Sequence, residues 1–477
     1  MNTSLTTSPV ARRTRLVATI GPASVDLVDR LVDVGLDVAR INLSHGSEAD
    51  HLRAAGAVRE AAARAGRSVG ILVDLPGPKL RLGELRDDLV ELEPGATVTL
   101  TGPGTAASDA SLPLGDPAVP PRLVPGDRIL LADGAAELRV SGARNEAAIT
   151  EVIRGGPVRS RQGVSVPAER MAADALGKAD EALIPHLLEL EPDFVGQSFV
   201  RSAADVLLLR ERLPGDMRIV AKIETRPALE SIESILDAAD AIMVARGDLG
   251  VELPFERVPL AQKDLVRAAL AAGKPSIVAT QMLESMVKAP RPTRAEAGDV
   301  ANAVIDGADA VMLSGETAVG EWPVEALRAA ACICEATDAH QSPTRPPEGT
   351  PTFGADADAR ALAVAAVAMA DADPDVVALA CYTHSGRTPR RLSSLRPDVP
   401  IVAFTPTKER ARSLTLRRGV HSVILEVEQD DPASISEAVV GALKAGAAEL
   451  ELPPEAAIVL VQTSVRGGPN ALELLRP

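Results

Sequence analysis

Lys222 and Glu224 stand two residues apart at the end of one apolar run, Arg218–Glu224, and Asp248 closes the next, Ala241–Asp248. Both runs read as β-strands, and alternate side chains of a strand share a face, so the lysine and the glutamate lie side by side at a strand tip. Asp248 reaches the same rim on the neighbouring strand. One ammonium beside two carboxylates suits a divalent cation together with a phosphoryl group in transfer. A surface Lys–Glu pair with Asp248 capping a helix fits the same residues, and they alone do not choose. Basic-residue usage adds weight to Lys222: eight lysines stand against 42 arginines, so a lysine marks a place where the planar guanidinium fork would not serve.

Several elements must position these groups. Strand-like runs occur at Leu16–Pro22, Val38–Ser44, Gly70–Gly77, Phe194–Val200, Arg218–Glu224, Ala241–Asp248, Pro275–Met282 and Ala310–Thr317. Helical stretches with a 3.6-residue period follow most of them, as in Leu27–Val34 and Leu229–Ala239. Eight β/α units in series predict an α/β protein built on a (β/α)8 TIM barrel, with its site at the C-terminal strand ends. Polar residues collect at those ends: Arg40, Asn42, Ser44, Asp74, Lys79, Thr280, Ser314 and Glu316 join Lys222, Glu224 and Asp248.

The series is interrupted once, where Gly- and Pro-rich sequence carries short alternating strands such as Val98–Gly102, Arg128–Ala132 and Glu137–Ser141. This predicts a small β-barrel lid inserted at 83–170, between barrel segments 12–82 and 171–340. A Pro-rich linker around Ser342-Pro343-Thr344-Arg345-Pro346-Pro347 opens a C-terminal α/β domain over 341–477. There, Thr383-His384-Ser385-Gly386-Arg387-Thr388 joins a strand to a helix start. Its hydroxyls, backbone N–H groups and arginine make either a phosphate cradle or an ordinary capped turn.

Composition narrows the function classes. A net charge of −16 with no basic run argues against nucleic acid as a partner. Aromatic residues make up only 1% of the chain, so its cores must be aliphatic. Cys332, Cys334 and Cys381 lack the spacing of a zinc site. The residues before Arg12 hold no apolar leader core, and no apolar run approaches a membrane span, so a cytoplasmic protein without membrane contact is expected.

The chain resembles the pyruvate kinases. The matching blocks are Ala18-Thr19-Ile20-Gly21-Pro22-Ala23-Ser24, Ala39-Arg40-Ile41-Asn42-Leu43-Ser44-His45-Gly46, Lys222-Ile223-Glu224, Met243–Gly250 and Ala279–Met286, continuing through Pro290–Glu296 to Leu313–Thr317. The resemblance implies phosphoryl transfer from phosphoenolpyruvate to ADP, giving pyruvate and ATP. It implies that Glu224 and Asp248 hold Mg2+ or Mn2+, and that Lys222 stabilises the transferring phosphoryl group with Arg40 and Arg81 beside it. One such charge contact at 4 Å is worth about 4 kcal/mol at an effective dielectric near 20. The backbone at Ala245, Arg246, Gly247 and Asp248 would hold the substrate carboxylate, and Thr280 would lie near the carbon that is protonated. Asn42, His45 and Arg81 would face the nucleotide. The Thr383, Ser385, Gly386, Arg387, Thr388 loop matches one that binds an effector's phosphate, which makes the third region a regulatory domain, and members are commonly homotetramers.

Departures from the family pattern bear on the ions and the nucleotide. Many members bind K+ near residues matching Asn42, Ser44 and Asp74; this chain has Lys79 where they carry Glu, and Leu75 where they carry Thr. An ammonium there would replace the ion's charge and repel it, which predicts that K+ is not required. In the lid, Gln162 replaces a family lysine and Ala132-Asp133-Gly134 replaces Asp-Asp-Gly, and beyond it Ala179 replaces a further lysine. Arg159, Arg161 or Lys178 could compensate. The effector pocket is altered near Gly467-Gly468-Pro469-Asn470. Two other readings stand beside the kinase: another phosphoenolpyruvate/pyruvate barrel, such as a lyase, and an inactive paralogue that senses phosphometabolites.

Overall fold

The computed structural model describes residues 12–78, 80–104, 110–171, 174–215, 217–340, 345, 357–427, 431–446, 456–462 and 471–476. Lys79, most of the Pro-rich linker and residues 467–470 lie outside them.

Eight parallel strands close into a barrel: β1 (Arg15–Thr19), β2 (Val38–Asn42), β3 (Gly70–Asp74), β4 (Phe194–Gln197), β5 (Arg218–Ile223), β6 (Ala241–Ala245), β7 (Ser276–Ala279) and β8 (Ala310–Leu313). Their residues are buried almost throughout, as strands enclosed by an outer ring of helices must be. Strand parity sorts them. Leu16, Ala18, Ile71, Val73, Ile219 and Ala221 pack outward into the large aliphatic layer under the helices. Val17, Val38, Leu72, Val220 and Met243 belong to a second cluster, and Leu416 of the C-terminal domain joins them. Two residues further along β2, β3 and β5 from this floor come Arg40, Asp74 and Lys222. The barrel therefore has an apolar floor and a charged layer above it.

The strands are shorter than the sequence runs suggest. The predicted runs overshoot by one to four residues where polar loop sequence continues the pattern, most of all at Ala310–Thr317; at Ala241–Asp248 the strand ends at Ala245 and a helix, Arg246–Glu252, begins. The helix expected over 229–239 is two pieces, Arg226–Glu230 and Ile232–Ala238, meeting at Ser231.

Between β3 and β4 the chain builds a β unit with its own aliphatic core, running from Leu80 to Val166. It holds a six-stranded sheet and an antiparallel ribbon that pairs Leu89–Leu92 with Gly156–Arg159. The C-terminal region carries a five-stranded sheet: β9 (Val376–Tyr382), β10 (Ile401–Thr405), β11 (Val420–Ile424), β12 (Ala457–Gln462) and β13 (Ala471–Leu475), with only β13 antiparallel to its neighbour. Among the described residues, no helix is long and apolar enough to cross a membrane.

Candidate active site

The charged layer is one connected cluster. Arg40 donates from Nε and Nη2 to Asp74 Oδ2 and from Nη1 to Thr19 Oγ1 at 3.1 Å. Lys222 Nζ lies 3.4 Å from the same Asp74 oxygen and 2.9 Å from Glu224 Oε1, and it donates to Ser198 Oγ at 2.7 Å. Ser198 in turn donates to the Leu75 carbonyl, and Glu224 Oε2 accepts from the Phe199 N–H. Burial alone would neutralise Asp74, but Lys222 and Arg40 outweigh it and hold its carboxyl below the usual range. Burial likewise works against the Lys222 charge, yet Asp74 and Glu224 overcome it and raise its pKa, so the ammonium is permanent at physiological pH. Asp74 Oδ1 and Glu224 Oε1 are buried and accept no directional hydrogen bond. The cluster thus leaves two carboxylate oxygens with spare capacity, and hard oxygen donors of this kind suit a divalent cation.

Asp248 reaches the rim differently from the sequence expectation: it sits exposed in the first turn of helix Arg246–Glu252 rather than on a strand tip. The Arg246 side chain turns away from the mouth. It donates to the carbonyls of Thr280 and Gln281 and to Asp299, and it contacts Met282 Sδ. That grip explains how Thr280 and Gln281 hold φ of +68° and +53°, a region L-residues seldom occupy. Thr280 Oγ1 donates to the Ala279 carbonyl and accepts the Gly247 N–H at 2.8 Å. Gly247, Thr280 and the helix N-terminus therefore meet, as the sequence reading requires, but the Gly247 N–H is already engaged by the threonine.

The remaining residues sort by place. Asn42 Oδ1 accepts the Ser44 N–H at the tip of β2. His45 is exposed, and its carbonyl lies 2.7 Å from His51 Nε2; His51 Nδ1 is 3.1 Å from His186 Nε2. Arg81 is exposed on the β unit, donating to the Arg161 carbonyl, and makes no described contact with the Lys222 cluster. In the C-terminal loop, Thr383 Oγ1 accepts the Gly386 N–H, and Gly386, at φ +75°, starts helix Arg387–Ser394. Ser385 Oγ lies 3.4 Å from the Arg387 N–H, and Thr388 is buried.

Sequence reasoning missed Ser198 and Gly196. A serine at the tip of β4 was the available signal for the first. The second follows only from packing: a Cβ on Gly196 would lie 2.6 Å from Asp74 Oδ1, so only glycine admits that carboxylate.

Comparison with known proteins bears on the family and the fold. A family model described as "Pyruvate kinase, barrel domain" matches residues 11–327, and "Pyruvate kinase, alpha/beta domain" matches residues 360–476. A relative from Agrobacterium vitis named "Pyruvate kinase" is 41% identical, covering 92% of this chain and 93% of its own length. One of the same name from Mycobacterium tuberculosis is 41% identical over 89% of this chain and 90% of its own. A crystal structure of a pyruvate kinase from Cryptosporidium parvum superposes with a TM-score of 0.89 at 32% identity, covering 98% and 97% of the two chains.

Proposed function

The chain belongs to the pyruvate kinase family, and from that premise we propose that it transfers the phosphoryl group of phosphoenolpyruvate to ADP at the mouth of the barrel, giving pyruvate and ATP. The observation that carries this reading is Lys222, a buried ammonium held by Asp74, Glu224 and Ser198 at the C-terminal rim. Its Nζ faces the charge that grows on a phosphoryl group in flight, in a site where little water screens it. Arg40 supports the same group from β2, oriented by Asp74 and Thr19. Glu224, with an oxygen to spare, and the exposed Asp248 would hold the divalent cation, Mg2+ or Mn2+, whose charge when bound neutralises substrate oxygens. The N–H groups at Arg246, Gly247 and Asp248 begin a helix and suit a carboxylate. For the substrate to take the Gly247 N–H, Thr280 Oγ1 must release it; that exchange frees the hydroxyl beside the carbon that is protonated.

Finer readings belong to the same proposal. Asn42 and His45 face the nucleotide, joined by Arg81 once the inserted β unit closes as a lid. K+ is dispensable because Lys79, five residues after Asp74, stands where many members of the family carry a Glu beside the K+ region. The Thr383–Thr388 loop takes a phosphorylated effector, and the enzyme works as a homotetramer in the cytoplasm, in the last step of glycolysis. The test is ATP formation from phosphoenolpyruvate and ADP with Mg2+, with K+ or tetramethylammonium, beside Lys222→Met. Turnover in both salts that the substitution abolishes supports the reaction and the reading of Lys79. Turnover only with K+ discards the latter. Ligand binding without turnover returns the weight to a phosphometabolite sensor.

A further inference from the structure

The loop that joins β2 to helix Glu48–Arg64 carries Ser44 and His45, and its backbone rests on a pair of buried histidines. His51 stands in the first turns of that helix, and His186 in the last turn of helix Lys178–Glu189. A carbonyl can only accept, so His51 Nε2, 2.7 Å from the His45 oxygen, carries a hydrogen. In a neutral ring that leaves His51 Nδ1 as a lone pair, and His186 Nε2, 3.1 Å from it, must be the donor. His186 Nδ1 is then bare. It is buried without a hydrogen-bond partner, and Glu189 Oε2 lies 3.7 Å from it. Gly46, at φ +84°, lets the loop lie over the His51 ring, in a backbone region that glycine enters without strain.

One further proton has a single good place to go. On His51 Nδ1 it would meet the His186 Nε2–H and part the rings. On His186 Nδ1 it preserves both hydrogen bonds and faces the Glu189 carboxylate. It also lies at a helix C-terminus, where backbone carbonyls favour a cation, whereas His51 lies near a helix N-terminus, which opposes one. Among the described contacts, the other charged groups around the pair are engaged elsewhere. Asp50 accepts from the Ser47 N–H and hydroxyl, Arg53 pairs with Asp26, and Arg59 reaches the Glu191 carbonyl and Asp193. We propose that His51 and His186 are positioning residues for the nucleotide, a two-ring latch on the His45 loop that tightens when His186 takes up a proton. The proposal rests on the reading that Asn42 and His45 face ADP. An imidazolium at His186 makes its Nε2–H a charge-assisted donor, which polarises His51 and strengthens its hold on the His45 carbonyl. Histidine is the side chain that changes charge between pH 5 and 8, so the loop is held more firmly at pH 6 than at pH 8. A loop already held in place loses less freedom when the nucleotide binds.

Hydrogen exchange over residues 43–52 and calorimetric binding of ADP with Mg2+, each at pH 6 and pH 8 on the intact protein, test the latch. His186→Gln keeps a donor for His51 Nδ1 and cannot take up the proton; His186→Phe removes the donor. In the wild-type chain, protection of the loop, corrected for intrinsic exchange, should be about fivefold higher at pH 6 than at pH 8, the ratio between a charge-assisted and a neutral hydrogen bond. His186→Gln should abolish that dependence, and His186→Phe should lower protection at both pH values. The Kd for ADP should rise from pH 6 to pH 8 by about fivefold more in the wild type than in His186→Gln, since titration of ADP itself is common to both. The KM for phosphoenolpyruvate should not follow, as it would in a general loosening of the barrel. A pH dependence of loop protection that survives His186→Gln overturns the proposal. So does a Kd for ADP that His45→Ala raises and His186→Gln leaves with its full pH dependence. A Kd indifferent to His45→Ala overturns it instead through the reading on which it rests.

Discussion

The two ends of the barrel both bury arginine–aspartate pairs, and they finish them differently. At the N-terminal face Asp309 accepts from Nη1 and Nη2 of Arg396 and from the Ser276 N–H, and Asp338 accepts from the Arg13 and Thr14 N–H groups, the Thr14 hydroxyl and Arg418. Both oxygens of each carboxylate are occupied, and the partners come from the barrel on one side and the C-terminal domain on the other. At the C-terminal face Asp74 and Glu224 each keep one buried oxygen without a hydrogen bond, although Arg40 and Lys222 are in contact. A pair completed within the protein fastens domains together; a pair left incomplete is a place for a ligand to finish.

Substitutions should separate these two kinds. Lys222→Met carries the largest expected effect on rate, a fall in kcat of about 100- to 1000-fold, the scale of removing one preorganised charge contact in a transition state. Asp74 keeps Arg40 and Glu224 keeps the Phe199 N–H, so the thermal midpoint should move little. Asp309→Ala should do the reverse. It leaves the Arg396 guanidinium buried without its carboxylate and should cost about 3–5 kcal/mol of stability, with kcat unchanged at temperatures where the protein stays folded. Equal losses of rate and stability in both variants would erase the distinction. Gly196→Ala sharpens it: a methyl group 2.6 Å from Asp74 Oδ1 must displace a carboxylate pinned by two cations. Overpacking of this kind costs about 1–3 kcal/mol, and a kcat/KM reduced about tenfold with a smaller change in the thermal midpoint is the expected sign.

The sequence was informative where a strict period controls geometry. Parity along β5 places Lys222 and Glu224 on one face, and the structure brings them to 2.9 Å. Eight apolar runs sufficed for the barrel, because parallel strands buried on both faces carry uninterrupted aliphatic residues. What stayed hidden depends on contacts between distant elements. The ends of strands were overestimated because polar tip residues prolong the pattern, so Asp248 was assigned to a strand when it begins a helix. The sequence groups Asp74 with Asn42 and Ser44, and nothing local announces that its side chain also ties Arg40 to Lys222. No local signal announces that Arg246 reaches back to hold the Thr280 loop, or that Gly196 is required by a carboxylate one strand away.

A fifth carboxylate offers the smallest and most particular effect, because its shift runs opposite to those of Asp74 and Asp309. Glu252 ends helix Arg246–Glu252 and accepts the Ala168 N–H, in the short turn where the chain leaves the inserted β unit for the barrel. Burial raises its pKa to about 7, and the Ala168 N–H and Arg226 only partly offset that, with Glu169 adding to the rise. An acid raised in the folded state is favoured there in its protonated form. Its stabilising contribution is complete below the ordinary value of 4.5 and is lost as pH climbs through about 7. Asp74 has the opposite sign: lowered in the folded state, it stabilises above the ordinary carboxylate range and fails only in acid. Glu252→Gln keeps an oxygen for the Ala168 N–H and removes the ionisation. The variant should therefore gain on the order of 1 kcal/mol over the parent at pH 8 and match it near pH 4.5, read as thermal midpoints at the two pH values. A difference that does not change with pH would mean that the Glu252 carboxyl titrates freely in the folded protein, and that the turn and the helix are joined by the hydrogen bond alone.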